Sequence, residues 1–283
     1  MPQSACGAQP DDLAESSASA GTAFTTAHHR ANQAGRDTLT VIIRQGAHRM
    51  DEGQQIAGAG KPRTFMALPG RVSDDRAIFH RNLRALLDLA GGEVPAAPGP
   101  TSRDQYQWEN AARMAVAASP PQAGPWPQEV FDTLIAAIAH DPNPSFNRRL
   151  IEPALAAAGR RAIQETLIGL LGSGTNAEKA GAARAWYWTQ VRVSYVNWEK
   201  RIPTEESRRE YDAVADLRIR WREAALREFV ANEDLDVRRC ILPGLTLNPA
   251  DYPDQLRDLV ETAVTIARTH PDEYIRHRVE HQV

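Results

Sequence analysis

The stretch Arg148-Arg149-Leu150-Ile151-Glu152-Pro153-Ala154-Leu155 and the stretch Arg238-Arg239-Cys240-Ile241-Leu242-Pro243-Gly244-Leu245 both read R-R-x-I-x-P-x-L. The frame returns 38 positions after the second copy (238 to 276) as Arg276-His277-Arg278-Val279, and Val283 falls where Leu155 and Leu245 stand. Each copy follows a polar, turn-forming loop: His140-Asp141-Pro142, Asn232-Glu233-Asp234 and His270-Pro271-Asp272. Self-similarity on this scale marks units that cannot bury their apolar faces alone and must stack on neighbours.

Outward from these copies, apolar residues recur at helical spacing. Residues 127–139 carry Val130, Phe131, Leu134, Ile135 and Ile138. The next helix carries Phe146, Leu150, Ile151 and Leu155 and ends at Gly159. A third, 160–171, carries Ile163, Leu167, Ile168 and Leu171. A helix from Ala177 to about Val193 stands where one copy of the frame is missing. A long helix over 205–232 carries Tyr211, Val214, Leu217, Trp221, Ala225 and Phe229, and further helices are predicted over 235–247, 252–269 and 272–283. Short loops make consecutive helices antiparallel neighbours. Pro153 and Pro243 lie inside their predicted helices, where each removes a backbone hydrogen bond and forces a kink.

Two-helix units whose second helix opens on an acidic loop and then V-R-R resemble HEAT-like or armadillo-type helical repeats. The residues that carry the resemblance are Asp234-Leu235-Asp236-Val237-Arg238-Arg239 and Pro271-Asp272-Glu273-Tyr274-Ile275-Arg276. It covers about residues 127–283 in roughly four helix pairs, and Val191–Thr204 is an insertion within it. The resemblance implies an all-α chain with a short right-handed α-solenoid whose second helices line the concave face. It also implies that arginines at the repeated position pair with acidic groups of adjoining loops, for which Asp141, Asp234, Asp236, Asp272 and Glu273 are placed.

The N-terminal part has a different texture. Residues 1–72 read as a disordered or weakly ordered head, because the run from Pro10 to Thr26 is Ala, Ser, Thr, Gly and acidic residues with almost nothing large and apolar to bury. Thr38 to Arg44 is a short apolar run standing alone. Met50 and Met66 are read as candidate alternative starts. Residues 73–124 hold one or two helices and a Pro/Gly-rich linker. The first is capped by Ser73, uses Ile78, Phe79, Leu83, Leu86 and Leu87, and stops at Gly91-Gly92; the second spans Ser102 to Ala118. The helical-repeat domain occupies 125–283.

Composition narrows the function classes. The chain has 283 residues, ample for a core without staples. Acidic side chains outnumber basic ones, 36 to 33, which argues against whole-domain affinity for phosphate backbones. Lysine occurs only at Lys61, Lys179 and Lys200, so nearly all the basic charge is arginine. Two cysteines far apart, Cys6 and Cys240, exclude a disulfide framework and a cysteine-based zinc site. With no apolar run long enough to span a bilayer and no signal-peptide pattern at the start, the expected setting is the cytoplasm.

No catalytic, cofactor or metal site is assigned. His277-Arg278-Val279-Glu280-His281 matches H-x-x-E-H, but its histidines occupy the repeat positions of Arg239 and Pro243 and no downstream residue supplies a third ligand. Gly58-Ala59-Gly60-Lys61-Pro62 lacks the first glycine and the hydroxyl residue of a P-loop. His28, His29 and His48 lie in the weakly ordered head. Cys240 reads as a buried small hydrophobe. Two features remain as partner-binding candidates. One is the arginine-bearing ridge, Arg149, Arg239 and Arg276 with His277. The other is the aromatic stretch Trp186, Tyr187, Trp188, Tyr195 and Trp198, from which Trp188 and Trp198 with Arg184 and Arg192 are taken as contact residues.

The function expected from the sequence is that of a non-catalytic interaction or scaffold module binding a partner protein on the solenoid surface. The alternative is a DNA-binding HEAT-like protein, an alkylated-base DNA glycosylase, for which the resemblance implies a basic groove, aromatics and a carboxylate.

Overall fold

The computed structural model describes residues 66–72, 76–92, 95, 96, 99, 101–118 and 126–283. The predicted run Thr38–Arg44, the histidines His28, His29 and His48, Cys6 and the glycine turn at 58–62 lie outside them. The described residues are overwhelmingly helical. They form α1 (Arg76–Leu89), α2 (Ser102–Ala118), α3 (Gln128–His140), α4 (Arg148–Ser173), α5 (Asn176–Trp186), α6 (Glu205–Asp212), α7 (Ala215–Ala231), α8 (Leu235–Ile241), α9 (Arg257–Thr269) and α10 (Glu273–Glu280). A hairpin of β1 (Tyr195–Asn197) and β2 (Ile202–Pro203) pairs Tyr195 with Pro203 and Asn197 with Ile202, antiparallel.

Two of the repeated loop acids, Asp234 and Asp272, are helix caps. The Asp234 carboxylate accepts from the Val237 N–H at 3.0 Å, and the Asp272 carboxylate accepts from the Ile275 N–H at 3.1 Å. Each satisfies one of the orphan donors of a helix N-terminus and sits at its positive dipole end. Thr175 opens α5 with a full capping box: its hydroxyl accepts from the Glu178 N–H, and its own N–H donates back to Glu178 at 2.8 Å.

Helix packing follows two series. In one, α1 contacts α3, α3 contacts α5, α5 contacts α8 and α8 contacts α10; in the other, α2 contacts α4, α4 contacts α7 and α7 contacts α9. Except for the short α6, the chain alternates between the series. Their facing stripes, among them Phe79, Leu134, Ile138, Leu150, Ile151, Ile163, Leu167 and Phe229, are fully buried in one core. Each such side chain is worth about 1.5–3 kcal/mol relative to exposure. The crossing of α3 and α5 is set by Gly181, where a Cβ would fall 1.8 Å from the Ala139 carbonyl oxygen, so only glycine permits the approach.

Several boundaries differ from expectation. The predicted helix over 205–232 is two helices broken at Ala213-Val214. Arg161 from α4 donates to the Ala213 carbonyl at 2.6 Å, and Arg218 donates to the Tyr211 carbonyl at 2.5 Å. These side chains take over carbonyls that a continuous helix would have used internally. Pro243 is not inside a helix: α8 ends at Ile241 and Pro243 sits in the 3₁₀ turn Leu242–Gly244, whereas Pro153 is inside α4. The helix-forming residues after Pro153 carry that helix through; the glycine after Pro243 does not. The expected helix to Val193 ends at Trp186, followed by a 3₁₀ turn over Tyr187–Thr189, and the one expected from Tyr252 begins at Arg257. At Gly159, φ is 79° and ψ 155°, which breaks the helical path where the sequence placed an end.

Residues 66–72, counted with the head from sequence, form no helix or strand yet are held by three helices. Arg71 donates to the Ala139 carbonyl at 3.2 Å and the Ala177 carbonyl at 2.8 Å, and the Val72 N–H donates to the Asp236 carboxylate at 2.8 and 2.9 Å. No helix among the described residues is long and apolar enough to cross a membrane.

Candidate functional site

The ridge arginines are engaged in contacts with neighbouring helices and loops. Arg239 donates to the Asp272 carboxylate at 2.5 Å, linking α8 to the cap of α10. Arg149 donates to Asn110 on α2 and lies over the Phe146 ring, 4.8 Å from its centroid. Arg276 reaches the His270 and Pro271 carbonyls at 2.5 and 2.7 Å. The His277 and His281 rings meet edge to face at 4.4 Å. Arg192 is 3.8 Å from Glu152, which also pairs with Arg148 at 3.3 Å. Of the acids named from sequence, Asp272 takes a ridge arginine, while Asp141 takes Arg113, which sequence reasoning did not single out.

Arg113 on α2 is 0% exposed. Its Nε and Nη2 donate to the two Asp141 oxygens at 2.9 and 2.5 Å, and its guanidinium lies 4.7 Å from the Phe79 ring centroid. Only Nη1 has no hydrogen-bond partner. Glu109, one turn earlier, holds Arg76 and His80 at 3.0 Å each. Burial pushes the Asp141 carboxyl above its ordinary value, against the pull of Arg113. The signal available in the sequence was an arginine on the apolar stripe that Trp108, Ala112 and Val116 mark on α2.

The aromatic stretch divides. Trp186 is buried and stacks on Trp221 of α7, centroids 4.2 Å apart and planes 4° from parallel. Trp188 is half-buried, its indole N–H donating to the Pro144 carbonyl at 2.7 Å. Tyr187, next in the chain, is exposed, because the 3₁₀ turn rotates it outward. The turn is pinned from below: Arg160 and Gln164 of α4 both donate to the Thr189 carbonyl. Trp198 lies beyond, in the hairpin, edge to face with Tyr195 at 5.2 Å.

Trp186, Trp188 and Trp221 wall a cavity of about 680 Å³. Six segments build it: Ala67-Leu68, the loop at Pro144, the end of α5 with its 3₁₀ turn, Trp221 of α7, Cys240–Gly244 at the end of α8 and the turn after it, and Tyr274 and Arg278 of α10. Arg184 and Arg278 line it, and no described lining residue is a carboxylate. Arg184 is 7% exposed. Its Nη2 donates to the Pro142 carbonyl at 2.8 Å, while Nε and Nη1 are buried with no hydrogen-bond partner. Burial lowers its pKa, since desolvation disfavours the charged form. Burial also pushes the Cys240 thiol up to about 11, so at neutral pH the sulfur is protonated. Sequence reasoning named Arg184 and Trp188 but had no means to add Trp221, Tyr274 or Arg278, which reach the cavity from later helices.

The hairpin presents a second feature. Val196, Trp198 and Ile202 are 75%, 59% and 45% exposed, three large apolar side chains displayed on the insertion. Among the described residues, no group of three or more His, Cys, Asp and Glu side chains is arranged to hold a metal ion.

Compared with protein-family models, with curated proteins and with solved structures, the chain shows no match.

Proposed function

We propose that the chain is a cytoplasmic, non-catalytic helical-repeat module that binds a partner protein through the insertion between α5 and α6. The two alternating series of helix contacts support a HEAT-like right-handed solenoid as its scaffold. So does the placement of the repeated residues, with loop acids capping helices and Arg239 bridging to the next unit. The single observation that carries the reading is the exposed apolar set Val196, Trp198 and Ile202 on the hairpin. Aromatic anchors of this kind supply much of the binding energy at protein interfaces.

The ridge arginines play a different part in this reading. Arg149 and Arg239 tie one helix to another and Arg276 braces the loop before α10, so they hold the array together and do not meet the partner.

The test is affinity purification of the full chain at native abundance, beside Trp198→Ala and Val196→Asp variants, with thermal unfolding followed in parallel. Loss of a reproducible subset of co-purifying proteins from both variants, at unchanged Tm, supports the reading. The same protein set recovered from all three chains would sink it.

A further inference from the structure

We propose that the cavity at the α5, α8 and α10 ends is a binding site for a small free aromatic carboxylic acid, with Arg184 taking the carboxylate and the tryptophan walls taking the ring. The site is independent of the hairpin surface proposed above. Its volume of about 680 Å³ lies within the roughly 300–1,000 Å³ that small-molecule sites occupy.

Charge argues for an anion. Arg184 lines the space, and no carboxylate is among the described lining residues. The two acids whose charge reaches Arg184, Asp141 and Asp236, are committed elsewhere: the first to both arms of Arg113, the second to the Val72 N–H. A buried guanidinium with two donors that no protein group satisfies is costly to maintain. A carboxylate entering beside Arg184 would meet its charge and, with a small turn of the guanidinium toward the cavity, would offer these donors charge-assisted hydrogen bonds.

The walls argue for a flat apolar body. Trp186 is fixed by stacking on Trp221, Trp188 is fixed by its hydrogen bond to Pro144, and Tyr274 is buried beside them. Arg184 is itself oriented by the Pro142 carbonyl. With so many side chains already held, a ligand meets little ordering cost on entry. An inorganic anion would satisfy Arg184 and leave the walls unused; a neutral aromatic would do the reverse. The same chemistry occurs at the C-terminus of a polypeptide ending in an aromatic residue, so the experiment carries that source as a separate arm.

The test is calorimetric titration of the full chain with 2-naphthoate, with neutral 2-naphthamide, and with the tripeptide glycyl-glycyl-tryptophan bearing a free carboxylate. Naphthoate is expected to bind about tenfold or more tighter than the amide, the scale of one hydrogen bond to a charged group. Arg184→Gln is expected to bring naphthoate down to the level of the amide while leaving the amide unchanged, and Arg184→Lys to keep part of the preference. Equal binding of acid and amide by the unaltered chain, or binding of neither, would overturn the proposal without recourse to a variant. Tripeptide binding clearly tighter than naphthoate would overturn the free-acid assignment and place the source in a polypeptide end. None of these outcomes depends on Trp198 or on any partner protein.

Discussion

Arg113 and Arg184 are two buried arginines in one domain, and their surroundings are opposite. Arg113 sits between α2 and the loop after α3, gripping both oxygens of a carboxylate that is as buried as itself, with an aromatic ring beneath. Arg184 sits at the end of α5 beside a cavity, with one neutral carbonyl for a partner and two donors unfilled. A buried ion pair is costly to break, because removing one partner leaves the other charged and desolvated; an isolated buried charge is costly to keep. Arg113 therefore belongs to the fold, and Arg184 is maintained for something that the fold does not need.

The contrast can be broken most readily at Arg113. Arg113→Gln strands the Asp141 carboxylate, and a loss of about 3–5 kcal/mol in unfolding free energy is expected, read from chemical denaturation. A loss smaller than about 1 kcal/mol would mean that Asp141 finds another donor and that the pairing is not what stabilises the α2–α3 junction.

A smaller effect sharpens the same point at a partly buried pair. Burial pushes the Asp272 carboxyl upward, but the Arg239 hydrogen bond and the Ile275 N–H outweigh it and hold the group below its ordinary value. A depressed carboxyl contributes stability that is present above its unfolded pKa and is lost as pH falls through its folded one. Asp272→Asn keeps a capping side chain but loses the charge, so at pH 7 it is expected to be less stable by about 1–2 kcal/mol. The gap between variant and unaltered chain should narrow progressively below pH 4. A gap independent of pH between 7 and 2.5 would show that the charge contributes nothing.

Much of the helical architecture could be read directly because it rests on local rules. The acidic loops before α8 and α10 are caps, α2 runs from Ser102 to Ala118 as its flanking residues indicate, and the break at Gly159 needs only a residue that tolerates positive φ. What escaped depends on residues distant in sequence. The break between α6 and α7 is stabilised by Arg161, which reaches across from α4. The 3₁₀ turn that sends Tyr187 outward is held by Arg160 and Gln164.

The cavity was legible only in fragments. An aromatic stretch with arginines around it is visible in the sequence, but pattern alone does not tell Trp186, stacked inside, from Tyr187, facing solvent. Tyr274 and Arg278 belong to a helix whose repeat frame had already accounted for them, so nothing marked them as lining residues. The ridge reading met a related limit. Repetition picked out Arg149, Arg239 and Arg276, which make structural contacts to neighbouring helices and loops, while Arg184, with two buried donors lacking a partner, stands outside the frame.

The central claim, that Arg184 serves a ligand and not the fold, is tested most directly by the thermal unfolding of Arg184→Gln without any added ligand. The account predicts a Tm equal to or above that of the unaltered chain, because removing an unpaired buried charge relieves a cost and forfeits only one hydrogen bond to a carbonyl. A fall in stability comparable to that of Arg113→Gln would contradict it and make Arg184 one more structural arginine.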